Sequence, residues 1–180
     1  KNQLRYLCMI LDSFTRAFDL VLTLDKDFFE ILLLSMKVSC LSLFLSCLVG
    51  LPVGTYLAIK NFWGRNAILI IFNAMMGLPP VVVGLIVYLL ISRSGPFGWL
   101  GILYTPTAMI IAQMILIIPI IVSLTAQIIE EINEEYKDLF TSLVVSSNKA
   151  LIACLYDARY SIFTVILAGF GRAISEVGAV

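Results

Sequence analysis

Three stretches without a charged residue decide what this chain can fold into: residues 38–59, 66–92 and 94–129, which are 22, 27 and 36 residues long. A helix crossing a bilayer needs about 20 apolar residues, because each advances about 1.5 Å through a hydrocarbon layer about 30 Å thick. All three stretches meet that length. Hydrophobic residues fill 61% of the 180 positions and charged ones 13%, against about half and about a quarter in a soluble domain. The sequence therefore predicts an all-α membrane protein, in which helices satisfy their own backbone hydrogen bonds away from water.

The same composition excludes several function classes. Twelve Lys and Arg balance 12 Asp and Glu, and no basic run resembles a nucleic-acid footprint. Histidine is absent, and Cys8, Cys40, Cys47 and Cys154 form no CxxC pair, so the usual ligand sets for zinc or haem are missing. Cys40 and Cys47, seven residues apart on one helical face, read as small residues that allow close packing. No GxxxxGK[ST] loop occurs to cradle ATP. Nor do the residues offer a set of nucleophile, base and orienting group, so no enzyme and no cofactor in this chain is expected. Residues 1–27 lack the compact apolar region of a cleavable signal peptide.

Leu4, Leu7, Leu11, Phe14, Phe18 and Val21 recur at three and four residues, with Arg5, Asp12, Arg16 and Asp19 between them. That is the period of an amphipathic helix over residues 1–27, lying in the membrane interface or packed on the spans. A first span is expected over 28–59, with Lys37 snorkelling outward and Pro52 bending the far end by freeing the carbonyl of Leu48. The second, 66–92, carries Pro79 and Pro80 near its midpoint, where the carbonyls of Met75 and Met76 are expected to lose their partners. Irregular backbone at that depth must be buried in protein or line a wet cavity, so the double proline is either part of a pathway or a plain kink. Phe97, Trp99 and Tyr104 suit the headgroup level. Thr105 and Pro106 then read as cap and first residue of a third span, kinked at Pro119, with Gln113 as an interhelical hydrogen-bonding residue.

Polarity changes at Glu130, Glu131, Glu134 and Glu135, while Ile128, Ile132, Tyr136, Leu139 and Leu143 keep helical spacing. The helix leaves the membrane there, and residues 130–160 form one extramembrane element. Glu130 with Glu134, and Glu134 with Asp138, are like charges four apart, so the acidic face reads as solvated. A fourth span starts near Ser161 and is still running at Val180, so the chain reads as lacking at least one C-terminal span. Arg172 falls 13 residues past Arg159, about 20 Å along a helix and deep in the bilayer. An unpaired arginine there costs about 2.5–3.5 kcal/mol on insertion scales, so pairing with Glu176 or with a neighbouring helix is expected. Five basic residues fall on each side of the spans, and charge leaves the orientation open.

Two blocks, GLPPVVVGLIVYLLISRSGPFGWLGILYTPTAMIIAQ (77–113) and LAGFGRAISEVGAV (167–180), resemble the tungstate-type permeases of ATP-binding cassette importers, within the wider molybdate and sulfate permease family. The likeness extends over about residues 30–180. It implies a type I importer transmembrane-domain fold over residues 28–180, acting as a homodimer in the cell membrane. It also implies ATP and Mg on a separate ATPase subunit, and an oxyanion, tungstate first, delivered by an extracytoplasmic binding protein. The loop 130–160 would be cytoplasmic and would couple to the ATPase through Asp138, Leu143, Val144, Ser146 and Ser147. Asp138 stands where the family pattern has Glu, and Val144 or its neighbour where it has the more permissive glycine. Pro79, Pro80, Arg172 and Glu176 are the expected pathway or gate residues, the last two as a structural or gating pair in preference to an anion contact. An ATP-independent channel or carrier, and a membrane scaffold, are the rival classes.

Overall fold

A computed structural model describes residues 26–143 and 147–176. The amphipathic segment expected over 1–27 lies almost wholly outside them, as do Val144 and Ser146. Two compact units divide the chain, residues 1–37 and 38–180. In the first, the described turns are helical and expose Phe29, Ile31, Leu32, Leu34 and Met36.

Every regular element among the described residues is helical. Helix α1, Lys26–Ile59, carries Pro52 in its interior. The expected second span is two helices, α2 (Arg65–Met76) and α3 (Pro80–Ile91), bent against each other by 104°. A 3₁₀ turn, Gly98–Leu100, follows, and α4 runs over Pro106–Glu135 with Pro119 inside it. Thr105 and Pro106 stand where expected, although the Thr105 hydroxyl donates to the carbonyl of Ile102 and accepts no bond from the first N–H groups of the helix. Short helices α5 (Lys137–Ser142) and α6 (Ser147–Asp157) lead to α7, Arg159–Glu176. Helices α1 and α4 are long and apolar enough to cross a membrane, and the bent pair α2–α3 meets the same measure when taken together. Helix α7 carries Arg159, Arg172 and Glu176 in 18 residues and does not meet it.

Helix α4 is the hub, with Ile117, Ile121, Val122, Thr125 and Ile129 all but inaccessible. Helix α1 packs parallel to it in one register: Ser42 bonds Gln113, 71 residues on, and the same offset pairs Gly50 with Ile121 and Gly54 with Thr125. It also brings Ala58 to Ile129. The α1 face in this seam is Ser42, Ser46, Gly50, Gly54 and Ala58, small and buried at every fourth position. Such spacing lets two helix backbones close up in lipid, where no hydrophobic force drives them together. A Cβ built on Gly54 would lie 2.7 Å from the carbonyl oxygen of Val122. Cys47 packs beside this seam, whereas Cys40 faces outward, so only one of the two cysteines read as packing residues packs.

The bent pair crosses the bundle and does not fold back on itself. Arg65, at the start of α2, reaches Glu130 near one end of α4, while Ile91, at the end of α3, clusters with Ala112 and Leu116 near the other. From Glu130 to Ala112 is about 27 Å at 1.5 Å per residue, close to the hydrocarbon thickness. Helix α7 returns antiparallel: Ala158 packs with Ile129, and Gly169 lies against Ile117. Outside, Ile70, Val81, Leu85, Leu89 and Phe163 are exposed, while Ser39, Ser42, Ser46, Gln113, Ser123 and Thr125 are buried. Apolar surface on that scale is untenable in water and is what lipid requires.

Candidate functional site

Between Met76 and Pro80 the backbone leaves helical geometry. Pro79 is extended, with φ −65° and ψ 134°, and Pro80 opens α3, where its missing N–H is no loss. The end of α2 tightens, so that Gly77 N–H donates to Ala74 and Leu78 N–H to Met75 at 3.1 Å. This corrects one sequence expectation, since the Met75 carbonyl keeps a partner. The N–H groups of Val82 and Val83 both turn to the carbonyl of Pro79, which leaves the Leu78 carbonyl outside both helices. Arg172 Nη2, half-buried on α7, donates to that carbonyl at 3.2 Å. A charged donor on a carbonyl is worth about 1.5–3 kcal/mol.

The structure thus brings three of the four expected gate residues to one place. Pro79 and Pro80 make the break, and Arg172 ties α7 to it. Glu176 is the last residue of α7, and its side chain lies outside the described residues. The arrangement makes a joint: any shift of α7 against the break must carry the Leu78 carbonyl along or surrender it to water. Gln113 serves as read from sequence, accepting from the Ser42 hydroxyl at 2.7 Å between α1 and α4.

At the end of α4 where Glu130 lies, the stretch expected outside the membrane carries two short helices, α5 and α6. Asp138 is exposed in the first turn of α5, its carbonyl accepting from Ser142, and Leu143 follows with 65% of its surface free. Ser147 is the first residue of α6. Tyr136 Oη donates to Asp157 Oδ2 at 2.8 Å, joining the end of α4 to the end of α6 and closing the loop at its base. That bond, and then the negative charge of Asp157, push the Tyr136 phenol above its ordinary range. Arg159 lies over the rings of Tyr156 and Tyr160, 4.3 and 4.7 Å from their centroids.

One feature of the acidic stretch differs from the sequence reading. Glu131, Glu134 and Glu135 are exposed as expected, but Glu130 pairs with Arg65 Nη2 at 2.8 Å. Rules for pairs four residues apart look along one helix, and this partner comes from another. Arg65 Nε also donates to the Leu57 carbonyl at 2.6 Å.

An apolar helix pair broken within the bundle, an arginine held at the break and a run of short helices beyond the end of α4 fit a membrane-embedded transport component. The family of binding-protein-dependent transport system inner membrane components matches residues 50–177, and the chain belongs to it. A probable anion ABC transporter permease protein of Haloferax volcanii is 38% identical over 146 residues, covering 81% of this chain and 63% of that protein. Tungstate uptake system permease proteins of Peptoclostridium acidaminophilum and Campylobacter jejuni are each 33% identical. Those two matches cover 95% and 96% of this chain, and 75% and 72% of the relatives. The chain therefore spans between 63% and 75% of the length of these relatives.

Proposed function

We propose that this chain is the permease subunit of an ATP-binding cassette importer that carries an oxyanion, tungstate first, across the cell membrane by alternating access. The observation that carries the reading is the Arg172 bond to the Leu78 carbonyl at the break between α2 and α3. Two helices that can part, joined at a backbone point whose carbonyl must be satisfied by either Arg172 or water, make a path that opens and shuts. Family membership supports the external motor, and the names of the two tungstate relatives support the substrate.

In this reading the crossing segments are α1, the bent pair, α4 and α7, four in all. Helix α7 runs far enough along α4 to reach from Ile129 to Ile117, and its charges serve the gate. The loop between α4 and α7 is cytoplasmic and meets an ATPase subunit through Asp138, Leu143 and Ser147, with Val144 and Ser146 completing the contact. ATP and Mg are held on that subunit. A second copy of the chain completes the pathway, and Tyr160, Phe163, Leu167 and Ile174, exposed at spacings of three, four and seven along α7, suit a helix partner. Substrate arrives from an extracytoplasmic binding protein.

The test is reconstitution of the full chain with its ATPase and binding protein in liposomes, with uptake of tungstate, molybdate and sulfate measured in turn. ATP-dependent uptake with tungstate preferred is the expected result. Preference for molybdate or sulfate would reassign the substrate within the same fold. Uptake that persists without the ATPase would move the protein to the class of channels or ATP-independent carriers.

A further inference from the structure

Arg65 occupies a position that helix electrostatics disfavours. It is the first residue of α2, where the helix N-terminus carries partial positive charge, and its side chain is only 12% exposed. Two contacts account for it. Its Nε donates at 2.6 Å to the carbonyl of Leu57, in the last turn of α1, where a cation is favoured and a carbonyl has no partner within its helix. Its Nη2 meets Glu130 Oε1 at 2.8 Å, just before α4 leads into the loop of α5 and α6. One guanidinium therefore joins the end of α1, the start of α2 and the end of α4. Gly64, with φ 97°, supplies the left-handed turn that starts α2 immediately before it.

We infer that Arg65 is a positioning residue that passes movement of the loop end of α4 into α2, and through α2 to the break at Leu78 and Pro79. Helix α4 carries the loop at its end; α2 carries the break at its end. Apart from packing, Arg65 is the polar tie between those two levers among the described residues, and its second bond anchors it to α1, so that α2 and α4 move against a fixed point. Without it, displacement of the loop is absorbed at the α2–α4 contact and does not reach the gate. The inference rests on the importer reading above.

The experiment uses the whole transporter in liposomes, measuring tungstate taken up, by mass spectrometry of the element, and ATP hydrolysed in the same sample. Arg65→Gln is expected to lower uptake per ATP hydrolysed by about five-fold or more, the size of a lost coupling between sites, while hydrolysis per assembled complex stays close to that of the parent. Arg65→Lys keeps a charge for Glu130 but lacks the rigid fork that reaches both partners from separate nitrogens, and its ratio is expected between the two. Glu130→Gln leaves the Leu57 contact intact, and it too is expected to lower the ratio. If Arg65→Gln fails to assemble, Glu130→Gln decides the matter. An unchanged ratio in the assembled variants, with uptake and hydrolysis falling only in proportion to the protein present, overturns the inference. Absence of ATP-dependent uptake in the parent complex would instead overturn the importer reading.

Discussion

Gly54→Ala tests the seam between α1 and α4 most sharply. The added methyl would lie 2.7 Å from the Val122 carbonyl oxygen, 2.9 Å from Thr125 Cβ and 3.2 Å from Thr125 Cγ2. A carbon approaches a carbonyl oxygen no closer than about 3.3 Å without cost, so the helices must part by about half an ångström. A gap of that size forfeits about a quarter of each dispersion contact along the seam, and overpacking of this kind costs about 1–3 kcal/mol. Alanine returns about 1 kcal/mol of helix propensity, leaving a net loss of about 0–2 kcal/mol, centred on about 1 kcal/mol. At about 2–4 °C per kcal/mol for a chain of this size, the melting temperature in detergent should fall by about 3 °C. Gly84→Ala is the matched control, since a Cβ there meets nothing within 4 Å and receives only the propensity gain. The assay is thermal unfolding followed by circular dichroism, with both variants purified alongside the parent. If Gly54→Ala melts at or above Gly84→Ala, the close approach of the two helices is wrong.

Other consequences follow from the break and from the loop. Arg172→Ala strips the charged donor from the part-buried Leu78 carbonyl, a bond worth about 1.5–3 kcal/mol. Uptake by the assembled transporter should fall about ten-fold, with membrane insertion checked separately and Arg172→Lys partly restoring transport; full uptake by the alanine variant would remove Arg172 from the gate. Tyr136→Phe opens the base of the loop, and trypsin should cut at Lys137 and Lys149 faster than in the parent. Because the Tyr136 phenol titrates above its ordinary value, its contribution is present below about pH 10 and is lost as the pH rises through the folded value. The difference in cleavage between parent and variant should therefore hold through neutral pH and disappear only in strong alkali.

The crossing lengths of α1, α4 and the bent pair were legible because membrane crossing is an additive property of length and missing charge, and neither depends on what a helix packs against. The break at Pro79 and Pro80 was legible for a local reason, the loss of two amide donors. Its angle of 104° was not, because the surfaces of α4 and α7 decide how far two helices part. Gln113 could be assigned from its type and depth, as an amide well inside an apolar span has few uses besides a bond to a neighbouring helix. The Leu78 contact of Arg172 and the Glu130 contact of Arg65 were beyond reach for a different reason. One is a backbone carbonyl 94 residues away, and carbonyls leave no mark in a sequence; the other needs the end of α4 to lie beside the start of α2. The stripe Ser42, Ser46, Gly50, Gly54 and Ala58 did carry a signal, a small residue at every fourth position with GxxxG at its centre. The prolines and cysteines of the span drew the reading away from it.

The central claim is that the segment between α2 and α3 lines a path that opens and closes with the ATP cycle. Gly77→Cys places a thiol there without crowding, since a Cβ on Gly77 meets nothing nearer than the Ala74 carbonyl at 3.6 Å. In a chain whose four native cysteines are replaced by serine, its reaction with a membrane-impermeant maleimide would be followed from each side of the membrane, with and without ATP. The account expects labelling that switches sides, or switches on and off, when ATP is added to the assembled transporter. Labelling that is the same in both conditions, or absent from both sides in each, would contradict it.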